Sequence, residues 1–105
     1  LGIIGGGKGT VGAALIAARS GLYMGAGRVY VELLEEDMKL DPFCPELMFP
    51  VKINIDEMDA IVIGPGLGFT DQAKQRFIEC LKSKAALVID GDALTMIAQD
   101  EEILS

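Results

Sequence analysis

The chain has 105 residues, of which 50% are hydrophobic, so it can bury the core of one small domain or form part of a larger one. Its formal net charge is −7. This excess of acidic groups argues against non-specific nucleic-acid binding and against binding to an anionic membrane surface. The chain contains no histidine, which excludes a His-based catalytic triad and a His-ligated zinc ion within these residues.

The cysteines and the hydropathy pattern bear on the cellular compartment. Cys44 and Cys80 lie far apart, and no secretory signal is recognisable, which favours free thiols in a reducing compartment. No apolar run approaches about 18 residues, the length at which a membrane helix is considered. We therefore expect a cytoplasmic protein that crosses no membrane.

Apolar periodicity predicts strands that alternate with helices. Strands are predicted at residues 1–4, 28–34, 59–63 and 85–89, and helices at residues 10–24, 70–83 and 93–98. Residues 35–50 are predicted to be irregular, and residues 100–104 are compatible with the start of another helix. Two strand–helix–strand units predict an α/β fold with a parallel sheet and right-handed crossovers. No internal linker is visible, so residues 1–105 are interpreted as one domain.

Three of the predicted strands run directly into loops of the kind that bind ligands. Ile4 is followed by glycines and a lysine at residues 5–9, Ile63 by Gly-Pro-Gly-Leu-Gly at residues 64–68, and Ile89 by Asp-Gly-Asp at residues 90–92. Glycine permits positive φ angles and removes the β-carbon, so these loops expose bare backbone. Open α/β sheets bind ligands at the carboxyl ends of their strands. The pattern predicts one site along one edge of the sheet.

The first glycine loop alone leaves several interpretations open. Residues 7–12 match the dinucleotide fingerprint G-x-G-x-x-G, and Glu32 follows Gly12 by 20 residues, where an acid would meet a ribose hydroxyl. This favours a Rossmann-type NAD-binding module, although Glu32 is equally well a solvated acid at the start of an acidic loop. Residues 2–8 also match the first part of a P-loop, but Gly9 stands where magnesium binding needs Ser or Thr.

The whole chain carries a more specific pattern than the glycine fingerprint. Its blocks are Gly-Gly-Gly-Lys-Gly-Thr-Val-Gly-Ala-Ala at residues 5–14, Gly-Ala-Gly-Arg-Val at 25–29, Pro-Glu-Leu-Met at 45–48, Asp-Ala-Ile-Val-Ile-Gly-Pro-Gly-Leu-Gly at 59–68 and Val-Ile-Asp-Gly-Asp-Ala-Leu at 88–94. In this order and spacing they resemble the ADP/ATP-dependent NAD(P)H-hydrate dehydratases of the ribokinase-like superfamily. That family more often has Ala where Gly91 stands.

This resemblance implies a ribokinase-like three-layer sandwich, with a mainly parallel sheet and helices on both faces. It also implies that residues 1–105 are the N-terminal part of an incomplete domain. The family's His-Pro-x-Glu segment and its Gly-x-Gly-Asp motif, which carries the expected catalytic Asp, do not occur here. We therefore expect no catalytic residue in this segment and no activity from the segment alone.

The resemblance further implies a lyase that dehydrates hydrated NADH and NADPH (NADHX and NADPHX) at the expense of ADP or ATP, with Mg²⁺. Its partners would be this dinucleotide substrate and an adenine nucleotide, in a homo-oligomer. The implied substrate-binding residues are Gly9, Thr10, Gly12, Ala13, Gly64, Gly66 and Gly68. Lys8, Asp90 and Asp92 are expected to meet phosphate, and the two aspartates to order magnesium through water.

Each of these residues also has a structural interpretation. Asp92 is equally well a helix N-cap, Lys8 a solvated side chain, and residues 45–48 a loop that closes over the core or touches a neighbouring subunit. Alternative functions also remain open. They are a Rossmann-type dehydrogenase module, a small-molecule kinase of the ribokinase-like superfamily, and a non-catalytic interaction domain that keeps the fold.

Overall fold

A computed structural model describes residues 1–7, 9, 11–35, 41–42 and 44–99. Within them, four strands form one sheet: β1 (Gly2–Gly5), β2 (Tyr30–Leu33), β3 (Ala60–Ile63) and β4 (Ala86–Ile89). The helices are α1 (Val11–Tyr23), α2 (Asp71–Leu81) and α3 (Gly91–Gln99). A single 3₁₀ turn, Ile55–Glu57, precedes β3. The predicted alternation of strands and helices is confirmed.

All strand pairs are parallel, and the spatial order is β2-β1-β3-β4. Ile4 lies directly beside Ile63, and Ile63 lies directly beside Ile89. The three strand ends that carry the ligand-type loops are therefore in register at one edge of the sheet. The prediction of a single edge is confirmed.

The sheet separates two apolar cores. On one face Ile4, Ile61 and Ile63 pack with residues of α2 and α3, including the fully buried Phe77. On the other face Ile3 and Val31 pack with the buried alanines of α1. The alternation of strand side chains between the two cores follows from the two-residue period of a strand. Helices on both faces make the three layers that the resemblance implied.

The ends of the helices follow from local chemistry. Gly25 ends α1 with φ of +100°, and its N–H donates to the carbonyl O of Leu22 at 3.2 Å, as a C-terminal glycine does. Thr70 caps α2, because its Oγ1 accepts from the N–H of Ala73 at 3.1 Å. The helix α3 begins two residues earlier than predicted, at Gly91. The N-cap predicted at Thr10 and the helix start predicted at residues 100–104 lie outside the described residues.

A partly buried ion pair joins the segment after β2 to α1. The Asp41 carboxylate is fully buried and accepts from Nε and Nη2 of Arg19, at 2.6 and 2.9 Å. Farther along, the carbonyl O of Met48 accepts from the N–H of Val31 at 2.7 Å, which extends the sheet by one parallel bridge. Leu47 is buried in the α1-side core. Residues 45–48 therefore close over this core, as predicted, and contact with another subunit stays a prediction.

None of the helices within the described residues is both long and apolar enough to cross a membrane.

Candidate functional site

The strand order creates a switch point between β1 and β3. From β1 the chain crosses to β2 on one side, whereas β3 and β4 lie on the other side. Loops that leave neighbouring strands in opposite directions open a crevice at the carboxyl ends, where such sheets bind ligands. The loops that follow β1 and β3 contain residues 5–9 and 64–68, and we call these two loops together the glycine shelf. The predicted site lies at this switch point.

Backbone hydrogen bonds join the two loops of the glycine shelf. The N–H of Gly6 donates to the carbonyl O of Pro65 at 3.3 Å, and the N–H of Gly7 donates to the carbonyl O of Gly66. A β-carbon at Gly5 would overlap the Pro65 carbonyl oxygen, so this strand end needs glycine for the close approach. The two loops therefore form one backbone unit.

The glycines of the second loop have separate structural reasons. Gly64, Gly66 and Gly68 adopt φ angles of +126°, +62° and +81°, which side chains other than glycine rarely tolerate. A β-carbon at Gly64 would also overlap the carbonyl oxygen of Asp90. Gly64 is buried, whereas Gly66 and Gly68 are partly exposed. Of these three predicted binding residues, Gly66 and Gly68 are the accessible ones.

The other side of the glycine shelf is open. A β-carbon at Gly9 or Gly12 would meet no atom within 4 Å. Gly12 and Ala13 are exposed in the first turn of α1, where backbone N–H groups have no intrahelical acceptor. The N-terminus of a helix, where these N–H groups lie, attracts and binds anionic groups. Lys8 and Thr10, the other residues predicted in this loop, lie outside the described residues.

The two aspartates after β4 differ in their surroundings. The Asp90 side chain is exposed and makes no hydrogen bond to another described residue, while its N–H donates to the Ile63 carbonyl O at 3.0 Å. Asp92 is partly buried, and its Oδ2 accepts from the N–H of Gly68 at 2.8 Å. Among the described residues no group of three potential metal ligands occurs. The structure therefore brings both acids to the glycine shelf but gives only Asp92 a protein partner.

Both interpretations of Glu32, as a ribose-binding acid and as a solvated acid, are wrong. Glu32 is 3% exposed, and its carboxylate accepts from Nε and Nη2 of Arg76 at 2.8 and 2.7 Å. It also accepts from the N–H of Ile53 at 2.7 Å, so no oxygen is presented to a ribose. The strand order also differs, because a Rossmann sheet places its third strand beside the second, whereas here β3 lies beside β1.

Arg76 is a charged residue of α2 that is nonetheless buried, with 5% of its surface exposed. Burial lowers the pKa of its guanidinium, but the hydrogen bonds to Glu32 and Glu79 outweigh this effect and raise the pKa overall. Arg76 also donates to the carbonyl O of Ile53 at 2.6 Å. It thereby joins α2 to β2 and to the segment before β3. No spacing in the sequence signals this, because Glu32 is 44 residues away.

A cavity of about 940 Å³ lies beside β2 and adjoins the first loop of the glycine shelf, because Leu34 and Glu35, which line it, donate their N–H groups to the carbonyl oxygens of Gly5 and Gly6. Leu33, Phe49 and Gln72 line it, together with the paired side chains of Glu32 and Arg76. Since the charged groups that are buried in its wall are already paired with each other, we assign the candidate site to the switch point.

The fold and the candidate site define an α/β domain with glycine-rich loops at the carboxyl ends of parallel strands. A family model described as NAD(P)H-hydrate dehydratase matches residues 1–105. The chain therefore belongs to this family.

Individual relatives agree with this assignment. An ADP-dependent (S)-NAD(P)H-hydrate dehydratase of Lactococcus lactis is 38% identical over 107 aligned positions, which cover 93% of this chain and 39% of that protein. A protein of the same description from Lactiplantibacillus plantarum is 36% identical over 111 positions, covering 92% and 39%. A crystal structure of a ribokinase-like superfamily protein from Enterococcus faecalis matches with a TM-score of 0.78 at 29% identity, covering 93% and 38%. The fold is ribokinase-like, and the chain spans about two fifths of the length of these curated relatives.

Proposed function

We propose that the protein carrying this chain is an NAD(P)H-hydrate dehydratase, a lyase that removes water from hydrated NADH and NADPH at the expense of a nucleotide. The family match over residues 1–105 supports this. We propose ADP as the nucleotide, because both relatives described above are named ADP-dependent, and ATP is the alternative. A homo-oligomeric state and a cytoplasmic location stay predictions.

We assign this segment to the substrate side of the reaction. The chemistry is transfer of a phosphoryl group to the hydroxyl of the hydrate, followed by elimination of phosphate, and it needs positioning, fixed donors and exclusion of water. The observation that carries the assignment is the glycine shelf, whose two loops are joined through Gly6 and Gly7. Its side at Gly9 and Gly12 is accessible to a ligand, because an added β-carbon at either position would meet no atom within 4 Å.

The residues present also fit magnesium. Carboxylate oxygens are the hard ligands that Mg²⁺ prefers, and this ion usually keeps several of its water molecules. The exposed Asp90 carboxylate would hold such a hydrated ion at the strand ends, where magnesium would neutralise phosphate charge. For Asp92 the predicted magnesium role competes with its hydrogen bond to the N–H of Gly68, and the contact of Lys8 with phosphate stays a prediction.

Replacing Gly66 by valine tests the role of the glycine shelf. The φ of Gly66 is +62°, so a β-branched residue adds strain of about 1–3 kcal/mol and places bulk on the partly exposed loop. We expect a large loss of affinity for hydrated NADPH together with a lower melting temperature. Binding and melting are measured on the same protein, so that the two effects can be separated.

Gly27→Val is the matched control. A β-carbon at Gly27 would meet no atom within 4 Å, and its φ is not positive. This residue lies beyond the C-terminal end of α1, so the control should bind the hydrate as the parent does. If Gly66→Val is folded and binds hydrated NADPH as tightly as the parent, the glycine shelf is a structural turn and the substrate assignment fails.

A further inference from the structure

Asp92 forms hydrogen bonds with both ends of the second loop of the glycine shelf, residues 64–68. Its backbone N–H donates to the carbonyl O of Gly64 at 3.3 Å. Its carboxylate Oδ2 accepts from the N–H of Gly68 at 2.8 Å. Asp92, in the first turn of α3, is therefore hydrogen-bonded to both Gly64 and Gly68, the two ends of this loop.

The loop between these two points is held at its other residues as well. The N–H of Leu67 donates to the carbonyl O of Gly64 at 3.0 Å, which closes a turn, and the Leu67 side chain is 1% exposed in the core. Pro65 and Gly66 accept from the first loop through their carbonyl oxygens. Gly68 comes after this turn, with a φ of +81°. For its N–H the structure provides the Asp92 carboxylate as acceptor.

We propose that Asp92 is a positioning residue for the substrate crevice, and that it acts through Gly68 rather than through magnesium. This inference rests on the proposed function of the glycine shelf. The carboxylate fixes the peptide plane that carries the Gly68 N–H, and thereby fixes the backbone surface that Gly68 presents to a ligand. Because that N–H is used by Asp92, Gly68 contributes a bare backbone surface to the site and not a hydrogen bond to a phosphate.

The two roles make different demands on the side chain. Accepting a hydrogen bond from Gly68 requires an oxygen but not a negative charge, so asparagine can replace Asp92 in this role. Ordering magnesium or its water relies on the negative charge as well, because a neutral asparagine oxygen attracts the ion less strongly, so a magnesium role predicts a raised KM for magnesium in Asp92→Asn. Asp92→Asn and Asp92→Ala therefore separate positioning from metal binding.

The experiment compares both variants with the parent in the natural protein that carries this chain. It measures the KM for hydrated NADPH, the KM for magnesium, and amide hydrogen exchange at residues 64–68. For Asp92→Ala we expect the KM for the hydrate to rise about tenfold and the Gly68 amide to lose about tenfold or more of its protection, since a hydrogen bond to a charged acceptor is lost. For Asp92→Asn we expect both quantities to stay within about threefold of the parent.

Thr95→Ala is the matched control, because Thr95 lies one turn further along α3, and among the described residues its exposed hydroxyl donates a single hydrogen bond, to the carbonyl O of Gly91. It should leave the KM and the exchange unchanged. The proposal is overturned if Asp92→Asn is as impaired as Asp92→Ala with a raised KM for magnesium, or if Asp92→Ala leaves the exchange of Gly68 unaltered. A parent protein that does not turn over hydrated NADPH contradicts the proposed function instead, while the exchange pattern still tests the contact between Asp92 and the loop.

Discussion

Replacing Arg76 by methionine should destabilise the protein strongly, because it leaves the buried Glu32 carboxylate without its cation. Arg76 donates to Glu32 at 2.7 and 2.8 Å, to the carbonyl O of Ile53 at 2.6 Å and to Glu79 at 2.8 Å. Removing one partner of a buried ion pair costs about 3–5 kcal/mol. We expect this range for Arg76→Met, since Glu32 is 3% exposed and keeps only the N–H of Ile53 as a donor among the described residues.

A second change isolates the charge as the cause. Glu32→Gln removes the carboxylate charge, while the amide oxygen can still accept from the N–H of Ile53. In the double variant with Arg76→Met, the remaining loss is the unpaired carbonyl O of Ile53, which costs about 1–3 kcal/mol. The double variant should therefore be more stable than Arg76→Met alone by about 2 kcal/mol.

Urea unfolding of the natural protein that carries this chain measures these free energies, provided that the variants share one m value. Lys52→Met is the control, because Lys52 Nζ lies 4.0 Å from Glu79 with 65% of its side chain exposed. An exposed pair of this kind should change the free energy of unfolding by less than about 1 kcal/mol. The reasoning is refuted if Arg76→Met costs no more than Lys52→Met, or if the double variant costs the sum of its two single changes.

Three further predictions concern Gly5, Gly12 and the buried Cys80 thiol. Gly5→Ala should cost about 1–3 kcal/mol of stability, because its β-carbon would overlap the Pro65 carbonyl oxygen. Gly12→Ala should raise the melting temperature slightly, because the added β-carbon would meet no atom within 4 Å, and it should weaken binding of the hydrate. Thermal melts and binding titrations on both glycine variants check these two predictions. Burial raises the pKa of the Cys80 thiol to about 11, so this thiol should stay unreactive towards a disulfide reagent between pH 7 and 9 and react only after unfolding. Rapid labelling of Cys80 in the folded protein within that range would contradict this.

The elements and the shared edge could be predicted because they depend on local signals. Parallel strands that lie between layers of helices leave short continuous apolar runs, such as residues 60–63, whose side chains are buried or partly buried. Turns that need positive φ leave glycines, such as Gly66 and Gly68. Parallel strands place their carboxyl ends together, so the position of residues 64–68 beside residues 5–9 follows from topology.

The charged pairs could not be predicted because they depend on tertiary contacts. Asp41 looks like one acid of an acidic stretch, yet it is fully buried against Arg19, 22 residues away. Glu32 has the right spacing for a ribose-binding acid, yet its partner Arg76 comes from another layer. Sequence spacing carries no information on which distant side chain a carboxylate meets. The same holds for Asp92, whose bond to Gly68 crosses from one loop to a helix.

The most direct test of the account is turnover of hydrated NADPH by the natural protein that carries this chain. The purified protein is mixed with the hydrate, magnesium and either ADP or ATP, and the near-ultraviolet absorbance of regenerated NADPH is followed, with phosphate release measured in parallel. We predict that absorbance and phosphate rise together, that both require the nucleotide, and that both fall sharply in Gly66→Val while Gly27→Val behaves as the parent. Absence of NADPH recovery with both nucleotides, or accumulation of a phosphorylated product without elimination, would contradict the assignment.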